Sequence, residues 1–218
     1  MAKKKTSVAK AKGTELTIQP PNFQIAEFHI HGTAAYVQNK FSAKAKAKMK
    51  EAQQAGQAGR KGKAKEPKDF QAAYKAAMHV STAGWYGIPA PAFRNALISA
   101  CRMTGYAMTR AKLSVFAVAD GTDADDATPL VKITKGKPEY TEGHVRNESG
   151  VCDIRPRPMW KAGWEAKVRI RFDADQFTLQ DVGNLMVRAG IQVGVGEGRP
   201  DSKKSNGVDW GTYEVLGK

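Results

Sequence analysis

The stretch Ala166-Lys-Val-Arg-Ile-Arg-Phe172 determines the predicted fold, because apolar and basic side chains alternate along it without interruption. Alternation with a period of two predicts a β-strand with one face in the core and the other in solvent. The solvent face carries a basic stripe of three side chains, Lys167, Arg169 and Arg171. The strand is therefore expected to lie in a sheet that is covered on one side only.

A helix is predicted directly after this strand, from about Leu179 to Ala189. Thr178 and Asp181 have the spacing of a capping box, and apolar residues then recur at helical intervals. The residues from Ile191 to Val195 alternate again and predict a short strand. The sequence thus predicts a strand–helix–strand unit.

The N-terminal half of the chain repeats this order of elements. Alternation predicts a strand at 23–37, an apolar helical face predicts a helix at 91–103, and an apolar run predicts a strand at 113–119. With a last, interrupted strand at 191–215, the order is βαββαβ. This α+β order is that of the ferredoxin-like fold, the architecture of the RNA recognition motif.

Two long insertions, at 38–90 and 135–160, interrupt this core. Prolines and glycines are frequent in 135–160, which is expected to be irregular. Residues 1–22 are expected to form a basic N-terminal arm, and residues 23–218 a single domain around the core.

The charge of the chain indicates its class of partner. The sequence has 35 Lys and Arg against 21 Asp and Glu, a formal net charge of +14 and a pI near 9.8. Such a surplus attracts polyanions, and regularly spaced phosphates relieve its self-repulsion. Nucleic acid is therefore the expected partner.

Several classes of protein are disfavoured by the composition. No run approaches the roughly 18 apolar residues that span a bilayer, so no membrane partner is expected. The two cysteines form no CxxC pair, and the histidines do not cluster with them, so neither a disulfide scaffold nor a zinc site is predicted. We expect no cofactor, and a cytoplasmic location in a bacterial or phage-infected cell.

The first insertion contains the densest positive charge. Residues 40–68 include ten Lys or Arg and two acids, with almost no large apolar residue. The part from Lys44 to Gln54 is expected to be helical when phosphates neutralise it, and the part from Gly56 to Lys65 to be a flexible loop. The alternative is a solvated loop without a partner. The predicted nucleic-acid contacts here are Lys44, Lys46, Lys48, Lys50, Arg60, Lys61 and Lys63.

Further contacts are predicted outside this insertion. A glycine-rich basic loop lets backbone approach phosphates, and it contributes Gly196, Gly198, Arg199, Lys203 and Lys204. Arginines elsewhere supply charge at Arg94, Arg146, Arg155 and Arg157, and the basic stripe of Lys167, Arg169 and Arg171 is predicted to contact nucleic acid as well. Base stacking stabilises bound single strands by about 1–3 kcal/mol per base, and the aromatic candidates in basic loops are Trp85 and Trp160. The alternative for each aromatic ring is a place in the core or in a subunit interface.

Two stretches resemble the RAMP superfamily, especially the subunits that form the helical backbone of CRISPR effector complexes. The first is Ile88-Pro-Ala-Pro-Ala-Phe-Arg-Asn-Ala-Leu-Ile-Ser-Ala-Cys-Arg102, similar to the helix entry of that family. The second begins with the helix that ends in Ala189-Gly190 and continues with Gly194 to Arg199 and Trp210-Gly-Thr-Tyr-Glu-Val215, similar to the closing glycine-rich loop and strand of that family. The chain departs from the pattern at Ala90-Pro91, where the family has glycine after proline, and in its longer final loop.

The resemblance implies a divergent, phage-encoded relative that binds single-stranded nucleic acid, RNA or DNA, without reading sequence. It also implies side-by-side assembly into a helical homo-oligomer or filament, with the two insertions as finger and thumb. One alternative is a RAMP-like endoribonuclease, for which the candidate bases are His29, His31, His79 and His144. The acids at 120–126 are interpreted as a solvated turn, and no catalytic or metal-binding residue is assigned. The other alternative is a basic structural or assembly protein of a phage.

Overall fold

The computed structural model describes residues 18–54, 67–146, 150, 152–202 and 208–217. The strands are β1 (Phe23–Gly32), β2 (Tyr36–Val37), β3 (Gly87–Pro89), β4 (Val115–Val118), β5 (Gly121–Thr122), β6 (Pro129–Lys135), β7 (Glu139–Arg146), β8 (Cys152–Trp160), β9 (Glu165–Asp173) and β10 (Tyr213–Val215). The α-helices are α1 (Ala43–Gln54), α2 (Phe70–Ala76), α3 (Ala90–Ala100), α4 (Met108–Ser114) and α5 (Leu179–Arg188). The chain is thus an α+β protein, as expected.

The main sheet has seven strands, and all of its pairings are antiparallel. Its order is β10-β1-β9-β6-β3, with β4 also beside β9 and β5 also beside β6. Both β4 and β6 lie along the edge of β9 that is opposite β1. The long strands β1 and β9 therefore form the centre of the sheet.

The core lies on one face of this sheet. Val168 and Ile170 of β9 are fully buried and belong to one cluster with Phe93 of α3 and Met186 of α5. Because side chains alternate along a strand, α3 and α5 cover the same face. The opposite face of β1 and β9 is left open to solvent, and it carries the basic stripe.

The second sheet has three strands in the order β2-β8-β7. Its hairpin β7–β8 is held from one side by α2, where the ring of Tyr74 packs on Tyr140 at 5.3 Å between centroids. The Tyr74 hydroxyl also donates to the carbonyl of Pro138 at 3.2 Å. This hairpin forms a wall beside the main domain.

Several elements confirm the predictions. The alternating stretch is the strand Glu165–Asp173, and the following helix is Leu179–Arg188 with the expected capping box of Thr178 and Asp181. The predicted helix after Lys44 is α1. Local patterns are sufficient in these cases because the elements are long or strongly periodic.

The prediction of irregular structure at 135–160 is wrong, because most of this segment is the β7–β8 hairpin. Pro156 and Pro158 make the sequence of β8 resemble a loop, since proline cannot donate a hydrogen bond to a neighbouring strand. The carbonyl of Pro158 accepts from Gln38 on the β2 side of the strand. The backbone groups of residues two apart point to the same side of a strand. Both prolines therefore have their backbone groups on the β2 side, and they do not interrupt the hydrogen bonds between β8 and β7.

Three predicted strands also have different boundaries or structure. Residues from Ala189 to Val193 form a π-helical turn instead of a strand, where a Cβ on Gly190 would lie 2.1 Å from the Tyr213 carbonyl oxygen. The predicted strand 23–37 divides into β1 and β2, which belong to different sheets. The predicted strand 113–119 begins inside α4. Within the described residues, no helix is long and apolar enough to cross a membrane.

Candidate nucleic-acid interface

A groove of about 740 Å³ lies between the start of α3, the loop after residue 193 and the β7–β8 hairpin. A smaller cavity of about 270 Å³ adjoins it, since Ala92, Gly196 and Arg199 line both. The two stretches that carry the family resemblance therefore meet here. Other residues that line the groove include Tyr36, Gln38, His79, Glu142, His144, Arg155, Arg157, Glu197 and Trp210.

The glycine-rich loop lies on the floor of the groove. Gly196 and Gly198 have φ of +85° and +75°, which favour glycine. A Cβ at Gly196 would lie 2.6 Å from the Val37 carbonyl oxygen, and one at Gly198 would lie 2.7 Å from the Trp210 ring. These glycines are therefore required by the packing of the protein itself.

The same loop offers backbone donors. The amides of Val195 and Glu197 are bonded to the carbonyls of Gly211 and Val37. Among the described residues, no hydrogen-bond partner is found for the amides of Gly196, Gly198 or Arg199. Unpaired backbone N–H groups of this kind bind anions, so the loop is a candidate phosphate contact.

Arg157 connects the hairpin to the loop. Its side chain is 9% exposed, and its guanidinium donates to both carboxylate oxygens of Glu197, from Nε and, at 3.3 Å, from Nη2. A bidentate pair of this kind is directional and strong. Arg157 was predicted to contact phosphate, but here its donors hold the wall of the groove against the floor.

Arg155 and Arg199 are the other predicted arginines in the groove. Arg199 donates from Nη1 to the Gly196 carbonyl at 3.1 Å and lines the groove. Burial raises the pKa of the nearby Asp201 carboxylate, but hydrogen bonds from Arg102 and Ser99, and after them the charge of Arg199, hold that pKa below its ordinary value. Arg155 pairs with Asp153 at 3.1 Å and is partly exposed. The structure thus brings three predicted arginines together with the glycine loop.

The two predicted stacking aromatics lie outside this groove. Trp160 is fully buried between Tyr36 and Tyr86, with ring centroids 5.5 and 5.8 Å away, so it has no exposed ring face for a base. The predicted stacking role of Trp160 is therefore wrong. Trp85 is half-buried, and its ring covers Gly87 and Gly121.

The lysines of the first insertion lie on α1. Lys46, Lys48 and Lys50 are exposed, and the Nζ of Lys46 is 3.4 Å from Asp126. The described side chains of α1 include none that is buried. The predicted contacts whose side chains lie outside the described part of the chain are Lys44, Arg60, Lys61, Lys63, Arg146, Lys203 and Lys204.

The predicted basic stripe lies on the open face of the sheet. Arg169 pairs with Asp120 at 2.9 Å, and Lys167 lies 4.0 Å from Glu27. Arg171 is exposed and contacts aromatic rings instead of a carboxylate. This stripe is separate from the groove, because none of its residues lines it.

Arg94 is also outside the groove. It extends from α3 to the backbone of α4 and β4, donating to the carbonyls of Lys112 and, at 3.1 Å, Val115. Its guanidinium carbon is 4.9 Å from the centroid of the Phe116 ring. Arg94 therefore connects α3 to the sheet, a structural role that its position in the sequence did not indicate.

Among the acids at 120–126, Asp123 is the centre of a buried ion cluster, which corrects the interpretation of this residue as part of a solvated turn, whereas Asp120 and Asp125 are exposed. Asp123 is fully buried at its side chain; its Oδ1 accepts from Lys40 Nζ at 2.6 Å and its Oδ2 lies 2.8 Å from His79 Nδ1. Lys40 also pairs with Asp125 at 2.7 Å. The cluster thus joins the start of the first insertion to the β5–β6 turn.

The ion pairs control the protonation of this cluster. Burial raises the pKa of Asp123, but hydrogen bonds from Lys40, the Asp125 amide and His79 outweigh it and hold that pKa below its ordinary value. Burial lowers the pKa of Lys40, and the bonds to Asp123 and Asp125 raise it above its ordinary value. Hydrogen bonds from Thr128 lower the pKa of Asp126 to about 2. The carboxylates and the ammonium are therefore charged at neutral pH.

The same cluster is the candidate metal site among the described residues. Ligand atoms of His79, Asp123 and Asp126 lie within 4.8 Å of one another. The ammonium of Lys40 already lies within 2.6 Å of Asp123. Because the ammonium already neutralises the buried carboxylate, we interpret the cluster as a structural ion pair centred on Lys40 and not as a metal site.

Sequence reasoning named His79 as a candidate base but missed Gln38, which forms a polar wall of the groove with it. Gln38 donates to the Tyr36 hydroxyl at 3.0 Å and to the Gly87 carbonyl at 2.6 Å, and it accepts from the His79 amide at 2.9 Å. The role of Gln38 could not be predicted from the sequence because all its partners except Tyr36 are distant in sequence.

No protein-family model matches the chain, and no curated protein sequence matches it. The function is therefore inferred from the residues of the groove.

Proposed function

We propose that the chain is a non-catalytic protein that binds single-stranded nucleic acid, RNA or DNA, in its groove and contacts the phosphates without reading base sequence. The observation that carries this proposal is the meeting of the unpaired amides of Gly196, Gly198 and Arg199 with arginines in one groove. Backbone amides and arginine are common donors to phosphate. The net charge of +14 favours the same partner.

The charges that line the groove support this choice of ligand. Of its two carboxylates, Glu197 is neutralised by Arg157, whereas Glu142 accepts from the Tyr140 hydroxyl at 2.6 Å and keeps its charge. Arg199 and Arg155 supply positive charge on opposite sides of the cavity. A volume of about 740 Å³ lies in the range of roughly 300–1,000 Å³ for ligand sites and suits a few nucleotides per chain.

Binding is expected to depend strongly on salt, because each neutralised phosphate releases counterions. With about nine phosphates contacted, about five in the groove and four on α1, the slope of log K against log salt is roughly −6 for a single strand, and affinity falls on the order of 10³-fold to 10⁴-fold between 50 and 200 mM. Fluorescence anisotropy with labelled 20-nucleotide DNA and RNA measures this. Oligomers of equal length and different sequence are the control and should bind equally; a slope near zero would contradict the proposal.

The fold and the assembly are part of the same proposal. The sheet order β10-β1-β9-β4/β6, with α3 and α5 on one face, supports a ferredoxin-like core and a RAMP-like relationship. Side-by-side assembly is supported by exposed apolar side chains on the helical side, among them Leu179 and Ile191, each 61% exposed. Electron microscopy of the protein on long single strands is expected to reveal filaments or defined oligomers.

One observation favours a second candidate function, cleavage of RNA in the groove. Since the Asp123 carboxylate is ionised, it accepts from His79 Nδ1–H and leaves Nε2 as the basic nitrogen of a side chain that lines the groove. In this reaction Nε2 takes the 2′-OH proton and the 2′-oxygen attacks the adjacent phosphorus. The bond to the 5′-oxygen breaks, that oxygen takes a proton from water, and protonated His79 returns its proton to the hydroxide so formed, giving a 2′,3′-cyclic phosphate and a 5′-OH.

The two candidate functions predict different fates for a bound RNA. For the non-catalytic protein, end-labelled RNA is recovered intact after prolonged incubation without divalent metal. For the nuclease, fragments with cyclic phosphate ends appear, DNA of the same sequence is not cleaved, and His79→Ala abolishes cleavage but not binding. His29→Ala is the matched control, since His29 is exposed on the open sheet face.

A further inference from the structure

The open face of the main sheet carries two aromatic rings and one guanidinium near the start of β1. The guanidinium carbon of Arg171 lies 5.0 Å from the ring centroids of both Phe23 and Phe116. The two rings meet edge to face at 5.7 Å. Ile25 lies opposite Arg171 in the strand register and is 63% exposed. Phe23, Ile25, Phe116 and Arg171 are called the sheet-face cluster below.

Arg171 differs from its neighbours in the basic stripe. In the described part of the chain it forms no hydrogen bond or ion pair, whereas Arg169 pairs with Asp120 and Lys167 lies 4.0 Å from Glu27. A guanidinium carries five N–H donors in a plane. The two phenyl rings hold this plane in position without using any donor, so a ligand meets an ordered and unsatisfied group.

We propose that the sheet-face cluster is a second nucleic-acid site, which takes one unstacked base against the Phe23 ring and the adjoining phosphate on Arg171. This inference rests on the proposed function, and it adds a surface that is separate from the groove. None of the four residues lines the groove or its adjoining cavity. Each chain therefore binds two segments of single strand at once.

Charge and size favour a nucleic acid over a protein on this surface. Phe23 and Ile25 are the exposed large apolar side chains of β1, and two partly exposed side chains cannot provide the roughly 800 Å² that each partner contributes to a stable protein interface. The carboxylate of Asp173, beside the cluster, accepts from the Asp175 amide.

The test uses short probes that cannot reach from one surface to the other. Native mass spectrometry of the full chain with oligothymidylate pentanucleotide is expected to give two probes per chain. Arg171→Gln or Phe23→Ala is expected to weaken the second binding event about tenfold or more, the effect of one lost stacking or phosphate contact. Arg199→Gln weakens the other event instead. Arg188→Gln, an equal charge change at an exposed residue on α5, is the control and leaves both unchanged.

Photocrosslinking identifies the surface directly. A pentanucleotide with 5-iodouridine at its centre is expected to crosslink to the peptide of Phe23 or Phe116, and Arg171→Gln removes this crosslink. One probe per chain, crosslinked only to groove peptides, would overturn the second site and leave the proposed function standing. No bound probe on either surface would contradict both. A change of oligomeric state in Phe23→Ala without any sheet-face crosslink would overturn the inference in favour of a subunit contact.

Discussion

Replacing Lys40 with Met is expected to lower the free energy of unfolding by about 3–5 kcal/mol, the usual cost of leaving a buried charge without its partner. The side chains of Lys40 and Asp123 are 3% and 0% exposed and only 2.6 Å apart. Methionine fills the space of the lysine stem but cannot neutralise the carboxylate. Chemical denaturation by urea, followed by tryptophan fluorescence, measures the loss.

Lys46→Met is the matched control for this substitution. Lys46 lies 3.4 Å from Asp126 but is 49% exposed, and exposed pairs contribute about 0–1 kcal/mol. A Lys40→Met variant as stable as Lys46→Met would contradict the assigned role of the buried cluster. Asp123→Asn added to Lys40→Met is expected to recover part of the loss, since it removes the uncompensated charge.

The two variants should also differ in their response to acid. The pKa of Asp123 in the folded protein is held below its ordinary value, so its contribution is present at neutral pH and is lost as pH falls through that lowered pKa. Without Lys40 the largest opposing interaction is gone, and burial raises the pKa of Asp123. Protonation then neutralises the buried carboxylate, so the difference in the free energy of unfolding between the wild type and Lys40→Met is expected to shrink as pH falls, whereas that between the wild type and Lys46→Met changes little.

The elements that sequence alone predicted correctly are those whose pattern is local. The strand Glu165–Asp173 is buried on one face over nine residues, so its period is complete within the stretch itself. The helix after it carries its own capping box at Thr178. The α+β class follows from such elements because each can be identified without knowing its partner.

The errors concern residues whose environment comes from distant parts of the chain. Asp123 was interpreted as exposed because its neighbours are polar, yet Lys40 lies 83 positions away and buries it. Trp160 was interpreted as a stacking ring because it follows a turn-rich segment, yet β2 and Tyr86 enclose it. The Phe23–Arg171–Phe116 contact joins three strands and has no local pattern at all.

Replacing Lys44, Lys46, Lys48 and Lys50 with Gln is expected to weaken binding of single-stranded nucleic acid on the order of 100-fold or more at 0.1 M salt. Each lost phosphate contact removes about 0.7 from the salt slope of a single strand, so the slope should fall by roughly 3. Stability should change little, because α1 buries none of its described side chains. Anisotropy titrations at several salt concentrations measure both quantities.

The geometry of α1 gives this prediction a second readout. Lys44 and Lys48, and likewise Lys46 and Lys50, are four residues apart, and like charges at this spacing destabilise an isolated helix. Phosphates remove that repulsion, so helix content measured by circular dichroism is expected to rise on binding in the wild type and not in the Gln variant.

The control variant for α1 carries Gln at four exposed lysines elsewhere, Lys75, Lys132, Lys137 and Lys161, and so has the same net charge. If the lysines of α1 act only through the total charge, the two variants will lose affinity equally, and a specific contact with the strand is contradicted. If α1 lies along the phosphates, only its own variant loses the steep salt dependence, since counterions are released only where a phosphate is contacted.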